Sequence, residues 1–407
     1  MLEIEFFRDD DLAPRVSEVV DLLRKHFSTM KVVTVQSNIA FEASPADTTP
    51  LKAAPGRDSE HTLESEIPLI IEHERVKRAR QGTAVATRPP RVLVTSASRK
   101  IPLVRALQQA ARAIHSEARV VAGDMDPNAL SFHVADESWT MPSLADSEVD
   151  ELLAQCLRLG ITAVLPTRDG ELMFWARHAA KFRQAGVEVL VSGPEALQRC
   201  LDKLAFSEFG VCHGLPLIPA ALSASDLCTE RFVVKERFGA GSRAIGMNLD
   251  RTQAISHAAT LQAPIFQPFV GGQEISVDAW LDRGGRVKGL VLRRRDLVVN
   301  GESQITTTFR DAALEEQAAA ILGRLALRGP VVMQAIIDAV GSLQVIECNA
   351  RFGGASTASI AAGLDGLRWS LLEAAGAPID DYPFLRAAGE VRQVRVPADI
   401  YVHGPDL

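Results

Sequence analysis

VVMQAIIDAVGSLQVIECNARFGG, residues 331–354, is the stretch on which the reading of this chain turns. It reads as two apolar strands about a short turn, followed by a small-residue bend. Gln334, Ile336 and Asp338 fall on one face of the first strand. In the second, Leu343, Val345, Glu347 and Asn349 alternate onto one face, while Gln344, Ile346 and Cys348 take the other. With Ala339-Val340-Gly341-Ser342 as the loop, Asp338 pairs with Leu343. Counting outward, Gln334 then lies opposite Glu347, with their Cβ atoms about 5 Å apart. One carboxylate and two amide oxygens, held close together, suit a hard cation such as Mg²⁺ that keeps positions open for phosphate oxygens. A half-buried hairpin with one polar face and no metal fits the same residues.

Upstream, Arg231-Phe232-Val233-Val234-Lys235 reads as a strand running into Glu236-Arg237-Phe238-Gly239-Ala240-Gly241-Ser242. Glycine lets backbone N–H groups turn toward an anion and the lysine adds a point charge, as a phosphate site requires. An ordinary hairpin shows the same residues; the order ahead of Glu347 favours the phosphate site. Earlier still, Pro194 to Leu201 and Leu204 to Gly210 read as helices on either side of Asp202-Lys203. Ile265 to Val270 reads as the segment joining two lobes, where Pro268 lacks a donor and leaves backbone groups for an adenine edge. Beyond the Gly271-Gly272 turn, Glu274, Ser276 and Asp278 alternate with Ile275, Val277 and Ala279. An apolar strand, Gly289 to Leu292, ends in Arg293-Arg294-Arg295-Asp296. At least one of these arginines is expected to point into the cleft, and Arg293 is the candidate clamp for a substrate carboxylate. Asp311 to Leu327 reads as a helix that packs behind the hairpin.

Gln334, Glu347, Asn349, Arg351 and the Phe352-Gly353-Gly354 bend resemble the metal-binding end of ATP-grasp enzymes, and within them the carbamoyl-phosphate-synthase-like branch. The resemblance runs from Arg91 to Val402, with the phosphate, hinge and metal motifs in family order. It implies that Glu347 bridges two Mg²⁺ ions on ATP, with Mn²⁺ as the substitute ion, and that Gln334 and Asn349 each hold one side. Arg351 would face the transferred phosphoryl group. Lys235 would contact the α- and β-phosphates under a mobile loop of Gly239, Gly241 and Ser242, and Lys203 would also reach phosphate. Gln267 and Phe269 would flank adenine, and Glu274 would accept from the ribose hydroxyls. The implied chemistry is phosphorylation of a carboxylate to an acyl phosphate, then attack by an amine or other nucleophile. Arg351, Lys235 and Arg293 form the expected catalytic set. A carbamate- or bicarbonate-activating enzyme and a non-catalytic nucleotide-binding module are the alternatives.

The 407 residues are enough for two or three domains. From Arg91, strands and helices alternate as in an open parallel sheet. Thr95-Ser96-Ala97-Ser98 stands where a dinucleotide fold would carry G-x-G-x-x-G, so a nicotinamide cofactor is not expected. Ligands of such sheets gather at the strand carboxyl ends, which places Ser96, Asp124, Thr167, Arg168 and Asp169 near a crevice. The expected architecture mixes α/β and α+β. A small α/β appendage and linker (1–66) precede a Rossmann-like domain (67–192), a small lobe (193–265) and a large lobe (266–407). The net charge of −7 argues against a general nucleic-acid surface. Five cysteines without CxxC spacing fit a reduced, cytoplasmic setting better than a disulfide framework. The sequence lacks an apolar run of about 18 residues, so no membrane span is expected. The expected partners are small-molecule carboxylate and amine substrates and, by resemblance, a second copy of the chain in a homodimer.

Overall fold

The structure is a computed structural model that describes residues 88–239, 244–299 and 301–401. The expected appendage and linker, 1–66, and the first residues of the expected Rossmann-like domain, 67–87, lie outside the described residues. Among the described residues no helix is long and apolar enough to cross a membrane.

The first layer is a parallel sheet in the order β3-β2-β1-β4-β5. Its strands are β1 (Arg91–Val94), β2 (Arg119–Asp124), β3 (Glu137–Thr140), β4 (Ala163–Leu165) and β5 (Glu188–Val189). Helices α1 (Ile101–Arg112), α2 (Val149–Arg158) and α3 (Asp169–Gln184) connect them. The short apolar strands are buried on both faces, as a parallel sheet between helices requires. Val92 and Val94 pack with Leu103, Val104 and Leu107 of α1. Leu93, one residue out of phase, packs with the Leu152, Trp175 and Phe182 side of the sheet.

Two helices, α4 (Pro194–Leu201) and α5 (Lys203–His213), lead into a small antiparallel sheet ordered β7-β6-β8. Its strands are β6 (Phe232–Glu236), β7 (Gly246–Leu249) and β8 (Pro264–Pro268), and α6 (Arg251–Ala258) lies on one face. There Phe232, Val234 and Phe266 pack with Ala254 and Ala258. Alternation turns Lys235 and Gln267 to the other face. The expected lobe boundary at 265/266 is corrected: it would cut β8, whose Phe266 and Gln267 pair with Val234 and Val233.

The large sheet is antiparallel, in the order β13-β12-β9-β10-β11-β14. It comprises β9 (Gln273–Leu281), β10 (Val287–Val299), β11 (Glu302–Phe309), β12 (Gly329–Ile337), β13 (Leu343–Asn349) and β14 (Arg392–Val394). Helix α7 (Ala312–Leu322) buries Leu314, Ala318, Ile321 and Leu322. The expected run to Leu327 is shorter because the helix stops at the Gly323 cap, and Leu325 and Leu327 reach the core from the following turn. Helices α8 (Ser356–Ala361) and α9 (Gly366–Ala374) close the fold. Leu367 and Leu371 of α9 share a core with α1, which joins the large lobe to the parallel-sheet domain.

The deciding hairpin differs from its expected form in one informative way. Gln334 does pair with Glu347, but the tip pairs Ile337 rather than Asp338 with Leu343. The two registers are reconciled by a β-bulge between Gln334 and Ala335 on one strand and Glu347 and Val345 on the other, leaving Ile346 as the extra residue. Strict alternation therefore fails in β13. Leu343, Val345 and Cys348 enter the core, whereas Glu347 and Asn349 are half-buried on the opposite face. The arginine run is likewise corrected: Arg293, Arg294 and Arg295 do not leave a strand but continue β10, paired with β9 and β11.

Candidate functional site

One cross-strand row on the large sheet joins Glu347, Gln334, Ser276, Arg293 and Thr308 through successive registers. Asn349 lies one step along the Glu347 face, opposite Val332. Its Nδ2 donates to Glu347 Oε1 at 3.1 Å. Gln334, Glu347 and Asn349 are each half-buried, so their oxygen donors sit in reach of the cleft. Among the described residues no group of three or more His, Cys, Asp or Glu side chains could hold a metal. A site made from one carboxylate and two amides is therefore the hard-donor set the fold offers, and Mg²⁺ fits it.

Opposite stands the small lobe. Lys235 projects from β6 and is only 5% exposed. Burial pushes its ammonium down to about 8, Glu347 draws it back up, and Lys203 lowers it further. Lys203 opens α5, where Asp202 caps the helix by accepting from Leu204 N at 3.0 Å. The Arg237 guanidinium forks onto the same Asp202 at 2.7 and 2.5 Å, fixing the helix start against the end of β6. Lys203 Nζ donates to Gly239 O at 2.7 Å. Burial lowers the Lys203 ammonium as well, and Glu347, Asp169, Asp202 and Glu236 oppose that shift. The two lysines thus share one electrostatic neighbourhood with Glu347. Gly239 takes φ +102°, a conformation that favours glycine; Gly241 and Ser242 lie outside the described residues.

The lobes are stitched by the extended segment after α5. Ile218 N donates to Val345 O at 2.9 Å, and Val345 N to Pro216 O at 2.8 Å, at the edge of the large sheet. Ala221 and Phe266 exchange backbone bonds of 2.9 Å at the small sheet. Gln267 is 4% exposed and donates from Nε2 to Ile218 O at 3.0 Å, so its side chain supports this joint. Phe269 is half-buried, and its backbone N–H is taken by Arg231 O at 2.9 Å.

Arg293, Arg295 and Arg351 of the large lobe are each engaged. Arg293 is 2% exposed and bonded to Asp278, with Nη1 on Thr306 Oγ1 at 3.1 Å. Ser356 and Ser359 each donate to that same Asp278 at 2.6 Å. The expected substrate clamp is therefore enclosed in a buried network rather than open to the cleft. Sequence reading did not connect Asp278 with the two serines; the three-residue spacing that puts Ser356 and Ser359 on one helical face was the available signal. Arg295 pairs with Glu274, the expected ribose acceptor, and Nη2 reaches Gly301 O at 2.9 Å. Arg351 forks onto Asp169, the first residue of α3, with Nε on Oδ1 at 2.8 Å. That bond ties the parallel-sheet domain to the Asn349 end of β13.

Residues 260–397 match the family described as ATP-grasp in the biosynthetic pathway with Ter operon, and residues 92–190 match the PylC-like N-terminal domain. Residues 260–397 are thus an ATP-grasp domain. The chain is similar to the biotin carboxylase of Halalkalibacterium halodurans, 25% identical over 338 residues that cover 72% of this chain and 70% of the relative. Among solved structures it is similar to the biotin carboxylase domain dimer of Hydrogenobacter thermophilus 2-oxoglutarate carboxylase, with a TM-score of 0.59 and 18% identity over 74% of this chain and 73% of that one. The L-amino acid ligase of Bacillus licheniformis gives a TM-score of 0.58 and 15% identity over 77% and 81% of the two chains. These likenesses fix the ATP-grasp fold: a parallel-sheet domain followed by two lobes that face each other across Lys235 and Glu347.

Proposed function

We propose that the protein is an ADP-forming ligase that activates a substrate carboxylate as an acyl phosphate and passes the acyl group to an amine. The reading rests on one observation: a carboxylate flanked by two amides on a sheet faces two lysines, Lys235 buried and Lys203 half-buried. A nucleotide's phosphates, bound with a hard cation, satisfy both walls at once. Gln334, Glu347 and Asn349 would hold Mg²⁺, which when bound supplies charge neutralisation at the phosphate oxygens. Lys203 and Lys235 neutralise the same tail from the other side, and the joint at Gln267 and Phe269 sets the lobes around the base. Arg351 is placed by Asp169 beside the reacting end.

In the first step a carboxylate oxygen attacks the γ-phosphorus and the bond to the β-phosphate oxygen breaks, releasing ADP. In the second the amine nitrogen attacks the acyl carbon, phosphate leaves, and the amine's proton passes to solvent. Positioning and charge dominate both steps. The enzyme works in the cytoplasm, as five free cysteines suit, and a homodimer is the assembly to test by sedimentation. The likeness to a biotin carboxylase supports a second reading, in which bicarbonate is the carboxylate activated. Glu347→Gln removes the carboxylate charge with little change of shape. ATP turnover, followed as ADP release with amino-acid pools or with bicarbonate, should fall about 10³-fold or more; near-normal turnover would sink both readings. Release driven by bicarbonate alone selects the second.

A further inference from the structure

A separate cavity of about 240 Å³ opens at the carboxyl edge of the parallel sheet. It lies over the ends of β1 and β4, where the strand order reverses, the position at which open α/β sheets bind ligands. At ~30 Å³ per water it has room for on the order of eight, the scale of one amino acid. Thr95, Asp124 and Arg168 line its polar side, and Met141, Leu144 and Phe174 its apolar side.

The polar groups are conspicuous for what they lack. Thr95 is 1% exposed, yet its hydroxyl has no hydrogen-bond partner among the described residues. A buried hydroxyl left without a partner is destabilising. The neighbouring Thr167 hydroxyl, by contrast, donates to Thr95 O at 2.6 Å. Arg168 is exposed, and its guanidinium makes no hydrogen bond or ion pair among the described residues. Asp124 accepts one backbone N–H on each oxygen, from Ser98 at 2.7 Å and Asp126 at 3.0 Å, and keeps lone pairs and its charge for more. Glu171, the other carboxylate of the lining, is spent: Oε1 accepts from Thr167 and Arg168 N–H at 2.8 and 3.0 Å, and Oε2 from the Trp175 indole at 3.4 Å.

We infer that this cavity binds an α-amino acid zwitterion with an apolar side chain. Arg168 takes the carboxylate, Asp124 the ammonium, and Met141, Leu144 and Phe174 the side chain. Thioether and aromatic walls adapt to aliphatic groups of different shape. A nucleotide is a poor match, since one arginine and no glycine-rich turn face the space. The site also stands beside the proposed reaction: Asp169, next to Arg168, holds Arg351, whose N–H is bonded to Asn349 O at 2.9 Å. This rests on the ligase reading for its purpose, and it names the class of one substrate.

The full chain is titrated calorimetrically with L-leucine, L-methionine and L-phenylalanine, each with and without saturating MgADP. At least one should bind saturably. Its amide and its deamino acid, each missing one charge, should bind at least tenfold more weakly, as should L-glutamate. Arg168→Ala should weaken the amino acid at least tenfold while leaving the amide unchanged. Because Arg168 is exposed, the unliganded melting temperature of that variant should match the parent. No saturable binding, equal affinity for the amino acid and its two analogues, or indifference to Arg168→Ala overturns the inference and leaves the ligase reading standing. Amino-acid binding that never elicits ADP release supports the site and removes the ligase reading.

Discussion

Arg293, Arg295 and Arg351 of the large lobe each have a carboxylate in contact, Asp278, Glu274 and Asp169 respectively. Lys235 of the small lobe has none among the described residues, and Lys203 touches only a carbonyl. Both walls of the cleft are rich in cations, but they hold them for different purposes. A paired arginine is structure: its charge is already answered, and its fork fixes strands or domains relative to one another. An unpaired, desolvated lysine holds its charge in reserve for an anion that arrives from outside. Lys235, whose ammonium burial pushes down to about 8, also feels Glu347, and perturbed groups are expected to gather at functional sites.

The contrast can be broken most sharply at Arg293. Arg293→Met leaves Asp278 buried without its partner and should destabilise the fold by about 3–5 kcal/mol in denaturant unfolding. A change under about 1 kcal/mol would mean that the pair is not structural. Lys235→Met should do the reverse, leaving unfolding little changed but weakening ADP binding about 10–100-fold, the worth of a hydrogen bond to a charged group. Equal ADP affinity would remove Lys235 from the phosphate site. The pH response follows from its sign. With the Lys235 ammonium pushed down to about 8, the free protein sheds this proton as pH rises past that value. ADP affinity should then hold steady below about pH 8 and fall about tenfold per unit above it, while Lys235→Met shows no such break. The smallest effect belongs to the exposed pair. Arg295→Gln should cost about 1 kcal/mol or less in stability, because Glu274 is 45% exposed and solvent screens the contact.

How far the site could be read in advance differs from residue to residue. Gln334 and Glu347 fall opposite each other by counting across a hairpin, because strand pairing is local and its period is fixed. Counting could not reveal the bulge at Ile346. It adds a residue without altering the apolar composition, and so the face expected for Leu343 and Val345 was the cleft when it is the core. Arg293 looked available because a run of three arginines ordinarily marks a strand end; its burial depends on Asp278, Ser356 and Ser359, brought from two other elements.

Read alone, the chain determines what short-range periodicity and motif order can carry. These are the alternating parallel-sheet unit, the lysine before a glycine loop, and the Glu-x-Asn strand that follows them. Tertiary structure decided which charges are spent and which are held back. The Arg351 partner Asp169 is 182 residues away in the chain, and Thr95 meets the Arg168 end of the cavity across two strands that are neighbours only in the folded sheet. Partnership between distant groups is set by packing, and packing has no period that a sequence displays.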